Sequence, residues 1–216
     1  RLYSQDNLGE DLIFNVRNGG IFYWDQSSGL DARGVNITSL GGASNCPTTA
    51  AQVLVSDNDQ HVIAFGANTL GSAVQDPLLV RWSDQESAVD WTPTATNTAG
   101  GVRVSSGSAI VGAVQTRQEI LIWTDTSLHS MRFVGAPFVF QFTTLSADVS
   151  MISPNAAVNA RGNVFFMDKT GFYVYNGAVQ QLPCSVQDYV LSNINMSQAF
   201  KVFAAENNAF SEIIWF

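Results

Sequence analysis

Short apolar runs recur along this chain at intervals of about fifty residues. The most apolar of them are residues 12–16, 62–65, 120–123, 164–167 and 213–216. Their first residues, 12, 62, 120, 164 and 213, are 50, 58, 44 and 49 positions apart. The runs are rich in β-branched and aromatic residues and are bounded by Gly, Asn, Asp and Ser, which is typical of strands and turns. This recurrence constrains the fold more than any single motif does.

A period of this length matches one propeller blade of four antiparallel strands. The clearest unit predicts strands at residues 157–160, 164–167, 172–175 and 179–182. The last two are joined by Asn176-Gly177, a strong two-residue hairpin signal. The sequence therefore predicts an all-β chain, a β-propeller of four-stranded antiparallel blades that is incomplete in this chain.

We interpret residues 1–216 as one propeller fragment, with blades near residues 10–40, 51–95, 109–145, 156–182 and 200–216. The first blade is expected to lack its first strand, and the last blade its last two. In the second blade we place the fourth strand near Trp91 and interpret Gly100-Gly101 as a loop. A short connecting helix is predicted at residues 185–195, with Ser185 as its capping residue.

Both ends of the sequence influence this interpretation. The chain begins with Arg1 rather than Met and stops within an apolar run at Phe216. We therefore predict that it is part of a longer polypeptide. Expressed alone, it should present an unpaired, aggregation-prone strand edge at residues 213–216.

Composition excludes several classes of function. Ten Lys and Arg against eighteen Asp and Glu give a net charge of −8, which opposes stable binding to a phosphate backbone. No stretch approaches the roughly 18 to 20 apolar residues of a membrane helix, so membrane insertion is not expected. The two cysteines, Cys46 and Cys184, are far apart and are interpreted as reduced thiols.

Several motifs contain side chains that can bind metals or take part in catalysis, but each also has a structural interpretation. Asp57-Asn58-Asp59 has alternate oxygen ligands, yet the Gly and terminal Glu of a calcium loop are missing, so we predict a turn. Gly42-Ala43-Ser44 lacks the second Gly of a nucleophile elbow. The two histidines, His61 and His129, have no nucleophile signature nearby.

The tryptophans and the two glycosylation motifs also allow more than one interpretation. The five tryptophans could stack sugars, but their places at the ends of apolar strands favour packing between blades; they are Trp24, Trp82, Trp91, Trp123 and Trp215. Asn36-Ile37-Thr38 and Asn195-Met196-Ser197 fit the glycosylation pattern, which matters only on a eukaryotic secretory route.

The segment Ser83-Asp84-Gln85-Glu86, with Asp90-Trp91, resembles the Asp-box turn of sialidases and related propellers, a turn that is structural even in enzymes. Sialidase chemistry, by the same resemblance, requires three arginines, a Tyr nucleophile and an acidic partner. None of the eight arginines, at positions 1, 17, 33, 81, 103, 117, 132 and 161, stands in such a motif. We therefore predict no catalytic, cofactor-binding or metal-ligating residue, no cofactor, and no enzymatic activity.

Three segments resemble a family of tailed-phage virion proteins, the tail hub or nozzle proteins and packaged-DNA stabilisation proteins. They are Leu79-Val80-Arg81-Trp82-Ser83-Asp84 with Asp90-Trp91, Glu119-Ile120-Leu121-Ile122-Trp123-Thr124-Asp125, and Gly171-Phe172-Tyr173-Val174-Tyr175-Asn176-Gly177 followed by Leu182-Pro183-Cys184. Residues 207–216 add a further piece. The resemblance covers most of the chain from Asp76 onward and lies in strand and turn patterns.

This resemblance implies a structural protein of the virion tail, assembled in the host cytoplasm and used in DNA ejection. Its implied partners are copies of itself around the tail axis, the portal and adaptor, other tail proteins, and DNA that passes without sequence-specific binding. An acidic channel wall would let DNA slide. The alternative interpretation is a secreted β-propeller that binds carbohydrate or resembles a glycosidase.

Overall fold

A computed structural model describes residues 2–216 and shows a chain built mainly of antiparallel β-sheets. Each of the four-stranded sheets has its strands in consecutive order, which is the meander of a propeller blade. The predicted fold class, an all-β chain of four-stranded antiparallel blades of the propeller type, is confirmed.

The strands have the following bounds. The first two sheets contain β1 (Tyr3–Leu8), β2 (Asp11–Val16), β3 (Ile21–Trp24) and β4 (Val35–Asn36), then β5 (Gln52–Val55), β6 (Val62–Phe65), β7 (Leu79–Trp82) and β8 (Gly100–Arg103). The next two contain β9 (Ile110–Gln115), β10 (Ile120–Thr124), β11 (Leu128–Gly135) and β12 (Val139–Ser146), then β13 (Ala157–Ala160), β14 (Asn163–Asp168), β15 (Gly171–Tyr175) and β16 (Val179–Gln181). A two-stranded sheet contains β17 (Ala204–Asn207) and β18 (Glu212–Trp215).

The chain divides into two compact units. The N-terminal unit runs through Ser105 and includes Phe133–Val139. The C-terminal unit contains Ser106–Arg132 and Phe140–Phe216. Each unit has its own hydrophobic core, so each is described separately.

The first blade of the N-terminal unit has a strand that the sequence pattern did not reveal. We predicted a blade without its first strand, but β1 pairs with β2 along its whole length, from Tyr3 opposite Val16 to Leu8 opposite Asp11. The apolar-run criterion missed β1 because its residues are mostly polar. Two of them bind the neighbouring strand β5: Ser4 Oγ accepts from Val53 N at 2.8 Å, and Asp6 Oδ2 accepts from Val55 N at 2.9 Å.

The second blade also differs from its prediction, because its fourth strand is β8 and lies beyond residue 95. Gly100-Gly101, interpreted as a loop, begins this strand, whereas Trp91 lies in a loop, although its own side chain is buried. The glycine has a packing reason: a Cβ at Gly100 would lie 2.6 Å from the Trp82 ring. Close approach of β8 to β7 therefore requires a residue without a side chain.

The C-terminal unit follows its predictions more closely. Strands β13 to β16 match the predicted runs, and the interior strand β14 places Phe166 edge-on against Trp123 of β10, with ring centroids 5.2 Å apart. The predicted helix at residues 185–195 is shorter, α1 (Gln187–Asn193), and Ser185 is not its cap: the capping position is Val186, which makes no side-chain cap bond. Within residues 2–216 no helix has the length and hydropathy needed to cross a membrane.

Candidate functional site

A buried polar network surrounds His61 in the N-terminal unit. His61 is fully buried just before β6, and its ring nitrogens contact two side chains: Nδ1 lies 3.1 Å from Asp59 Oδ1, and Nε2 lies 2.9 Å from Thr98 Oγ1. The Thr98 hydroxyl donates to Asp84 Oδ1 at 2.6 Å. The network thus connects the turn before β6, the residues after β7 and the approach to β8.

Thr98, His61 and Asp59 are arranged in the order hydroxyl, imidazole and carboxylate, as in a nucleophile triad. The hydroxyl is, however, already committed, because its proton is donated to Asp84 and its oxygen also accepts from Gln85 N at 3.1 Å. A nucleophile needs a proton that passes to the imidazole. The arrangement therefore braces the sheet rather than activating Thr98.

The two carboxylates of this network are held ionised by hydrogen bonds. Burial acts to raise the pKa of Asp59, but the bonds from His61 and Ser56 outweigh it, so this pKa lies below its ordinary value. For Asp84, burial likewise acts to raise the pKa, and the bonds from Thr98 and Gln85 lower it overall. Asp59 Oδ2 is buried and has no hydrogen-bond partner within residues 2–216.

The predicted turn at Asp57-Asn58-Asp59 is present. Asp57 and Asn58 are exposed, whereas Asp59 turns inward to His61. The three side chains therefore do not surround one point. In the described part of the chain, no group of three or more His, Cys, Asp or Glu side chains is arranged to hold a metal ion.

The Asp-box-like segment contributes its side chains to the same sheet. Ser83 Oγ accepts from Val62 N at 3.0 Å, and Asp90 accepts from Ser44 Oγ at 2.9 Å. Trp91 is buried, and the buried Arg81 guanidinium lies 5.9 Å from its ring centroid. Arg81 also donates to the main-chain carbonyls of the loops beside it, those of Asn45, Asn68 and Trp91. These residues hold the blade together.

The second histidine has a different environment in the C-terminal unit. His129 Nε2 faces the hydroxyls of Ser127 at 2.8 Å and Ser106 at 3.1 Å, and Nδ1 faces Thr144 Oγ1 at 3.2 Å. All three of these partners are hydroxyl groups. Burial lowers the pKa of His129, so the neutral ring is favoured.

A tyrosine and carboxylate pair in the C-terminal unit was not found from the sequence. The Tyr175 hydroxyl donates to Glu119 Oε1, Ser130 Oγ donates to Glu119 Oε2, and Arg132 lies 3.6 Å from the same Oε2. Glu119 directly precedes the apolar strand β10, and a charged residue in that position was the signal that could have identified it. Tyr175 is 56 residues away, so only the fold reveals their contact.

The pair resembles in kind the Tyr and acidic partner of sialidase chemistry, with one arginine instead of three. Its electrostatics oppose that use. Burial, the hydrogen bond to Glu119 and the charge of Glu119 raise the pKa of Tyr175 to about 12. A phenol with a raised pKa is a weak nucleophile near neutral pH.

The tryptophans and arginines that were weighed as candidate site residues have structural roles of their own. Trp82, Trp91 and Trp123 are buried, while Trp24 and Trp215 are half-buried and donate to the carbonyls of Ala32 and Ala156. Three arginines form salt bridges, each with a different acidic residue: Arg103 with Asp76, Arg132 with Glu119 and Arg161 with Glu206. Arg1 lies outside the described residues.

Because three of the five tryptophans are buried, the five do not form one sugar-stacking surface.

The small polar motifs serve as caps and turns. The sequon residues Asn36 and Asn195 each accept from the main-chain N–H two residues later and begin short 3₁₀ turns. Ser44 donates to Asp90, as described above. Cys46 is buried and Cys184 half-buried, and both are free; burial raises the pKa of Cys46.

Each unit has an open groove. The groove in the N-terminal unit has a volume of about 420 Å³ and is lined by Leu8, Gly9, Asp11, Tyr23, Gln60, Glu86 and Ala88. A groove of about 520 Å³ in the C-terminal unit is lined by uncharged residues, Leu145, Ser146, Val149, Tyr173, Tyr175, Gly177, Ala178, Val179 and Gln181. The second groove therefore suits an uncharged ligand better than an ionic one.

Exposed apolar side chains concentrate in the last part of the C-terminal unit. We name the exposed large residues of this segment the C-terminal apolar surface; they are Val186, Tyr189, Met196, Phe200, Phe203, Phe210 and Phe216, each between 45% and 74% exposed. The surrounding segment is short and carries few charges. Contiguous exposed apolar patches mark interaction sites in soluble proteins, and the density of exposed apolar residues along this segment makes it the candidate for such a patch.

Comparisons with known proteins give a general likeness only. No family model matches the chain, and no curated protein matches it. Among solved structures it is similar to the extracellular domain of the putative hybrid two-component system BT4673 from B. thetaiotaomicron, with 16% identity and a TM-score of 0.49 over 84% of this chain and 22% of that one. It is also similar to Hsv2 from Kluyvelomyces marxianus, with 10% identity and a TM-score of 0.43 over 80% of this chain and 44% of that one. The chain spans less than half the length of either structure, and likeness at this level carries no functional argument.

Proposed function

We propose that this chain is a structural, non-enzymatic component of a bacteriophage tail that acts by assembling with copies of itself and with neighbouring tail proteins. The observation that carries the proposal is the C-terminal apolar surface. Its side chains expose apolar area that contact with another protein would remove from water. The sequence resemblance to tail hub and nozzle proteins names the kind of assembly.

The internal chemistry supports a structural role. The histidines and most buried carboxylates are bound within the sheets, where they brace strands and loops. Tyr175 is held as a neutral phenol by burial and by Glu119. The net charge of −8 suits a channel wall that lets DNA pass, because like charges repel the phosphate backbone.

The proposal is tested by polar substitutions on the C-terminal apolar surface. A phage carrying Tyr189→Ser and Phe200→Ser should produce the protein at normal levels but assemble particles with missing or defective tails. Leu30→Ser is the matched control, since Leu30 is 91% exposed but lies in the N-terminal unit. Normal tails in the double variant, or equal loss in both variants, would contradict the proposal.

The uncharged groove favours a second candidate, a carbohydrate-binding propeller. Tyr173 offers an aromatic ring for a sugar, and Gln181 and Ser146 offer hydrogen-bonding groups for its hydroxyls, in a volume within the range of small-molecule sites. Titration calorimetry against a panel of neutral oligosaccharides tests this candidate. Binding that is lost in Tyr173→Ala, with the thermal midpoint unchanged, would favour it over tail assembly.

A further inference from the structure

The sequence contains two Asn-Gly pairs, and the fold gives them different surroundings. They are Asn18-Gly19, in the turn between β2 and β3, and Asn176-Gly177, in the loop between β15 and β16. In an Asn-Gly pair the main-chain nitrogen of glycine can attack the asparagine side chain, because glycine has no side chain that hinders the approach. Both asparagines are exposed, so exposure to water does not distinguish the two pairs.

The first pair is restrained by hydrogen bonds from both of its residues. Asn18 Oδ1 accepts from Gln75 Nε2 at 3.1 Å, and the Asn18 N–H donates to Ala50 O at 2.8 Å. The Gly19 N–H contains the nitrogen that would attack, and it donates to Val16 O at 2.7 Å. Attack on the Asn18 side chain therefore requires that these bonds break first.

The second pair lacks these restraints. Within residues 2–216, neither the Asn176 side chain nor the Gly177 N–H makes a hydrogen bond. Gly177 has a φ of +101°, and a Cβ there would meet nothing within 4 Å, so the space around the loop is open. The loop leads into β16, a three-residue strand at the edge of its sheet. Such a segment can open locally at little cost in free energy.

We propose that Asn176 is a site of spontaneous deamidation and that the fold protects Asn18 from the same reaction. The Gly177 nitrogen attacks the side-chain carbonyl carbon of Asn176 and forms a new C–N bond. The side-chain amide nitrogen leaves as ammonia, which carries away the proton of the Gly177 N–H. Water then opens the resulting succinimide at either carbonyl, which gives aspartate or isoaspartate at position 176. Water is the sole co-reactant, and the proposal is independent of the tail assignment.

Deamidation at this position changes the groove of the C-terminal unit. Gly177, Val179 and Gln181 belong to the lining of that groove, which contains no charged residue. Either product introduces a carboxylate next to Gly177, and isoaspartate also lengthens the main chain by a methylene group just before β16. The reaction therefore gives a groove suited to uncharged ligands a negative charge at its rim.

Peptide mass spectrometry of the folded chain compares the two pairs directly. The chain is incubated in mildly alkaline buffer, and the aspartate and isoaspartate products at both positions are quantified over time. Deamidation at Asn176 should be faster than at Asn18 by about tenfold or more, a ratio that corresponds to about 1.4 kcal/mol of activation free energy. Equal rates, or a faster reaction at Asn18, would overturn the proposal.

The same measurement in urea separates the effect of the fold from that of the sequence. In the unfolded chain both pairs are free, so the rate at Asn18 should rise and the two rates should become similar. A preference for Asn176 that is unchanged in urea would show that the fold does not select the site. Asn176→Gln should remove the main acidic form that accumulates in the folded parent chain, with unchanged circular dichroism, and persistence of that form would also overturn the proposal.

Discussion

At the residue scale, the side chains most suggestive of catalysis are those most fully used in bracing. Thr98 joins His61 and Asp84 through one hydroxyl that accepts and donates at the same time. The sequence contains each residue of this network, but their contact could not be predicted, because His61 and Thr98 are 37 positions apart in the sequence. A sequence pattern reports spacing along a chain, and this network is defined by three separate chain segments that meet in one sheet.

Removal of the Thr98 hydroxyl tests this bracing role. Thr98→Val keeps the shape of the side chain but leaves His61 and Asp84 each with one polar contact fewer, so the free energy of unfolding should fall by about 1–3 kcal/mol. Urea denaturation measures the change. The exposed Thr96→Val is the control and should change stability by less than about 0.5 kcal/mol. Equal effects of the two substitutions would show that the network contributes nothing.

The histidine and the carboxylates whose pKa values are lowered in the fold predict separate effects of acid. Because burial lowers the folded pKa of His129, the unfolded state gains a proton first, and stability should begin to fall as pH decreases below about 6.5. The pKa values of Asp59 and Asp84 are lowered in the fold, so their contribution is present above about pH 4 and is lost as pH falls through the folded values. His129→Gln should flatten the first phase only. A first phase that is unchanged in this variant would contradict the assignment.

At the element scale, strands were predictable where apolar residues and turn signals agree. Strand β14 is an apolar run between a turn and a hairpin, and its blade was predicted nearly residue by residue. Strands β1 and β8 were missed for opposite reasons: β1 carries polar side chains that bind β5, and β8 begins with two glycines. Neither strand has an apolar run, so their positions follow from neighbouring strands rather than from their own sequence.

Gly100 provides the test of this account of β8. Gly100→Ala would place a Cβ 2.6 Å from the Trp82 ring, so β8 or Trp82 must shift, and stability should fall by about 1–3 kcal/mol. Thermal unfolding followed by Trp fluorescence measures the change. Gly41→Ala is the control, since a Cβ there meets nothing within 4 Å. A Gly100→Ala protein as stable as the control would mean that β8 is not closely packed.

At the scale of the whole molecule, the repeat predicted the architecture, whereas the surface features needed the fold. The blade period follows from local strand patterns that recur along the sequence. The groove at Tyr173 and the pair of Tyr175 and Glu119 depend on which strands become neighbours. Apart from Phe216, the exposed residues of the C-terminal apolar surface were not predicted, because Phe200 and Phe210 resemble core residues in sequence and only their exposure in the fold distinguishes them.

The central claim is that this chain is a stoichiometric part of a tail. The most direct test is quantitative mass spectrometry of purified phage particles and of isolated tails from the source of this sequence. The proposal predicts that peptides of this chain are present in several copies per particle and are enriched in the tail fraction. Absence from particles, with the protein found free outside the cell and bound to glycans, would contradict it.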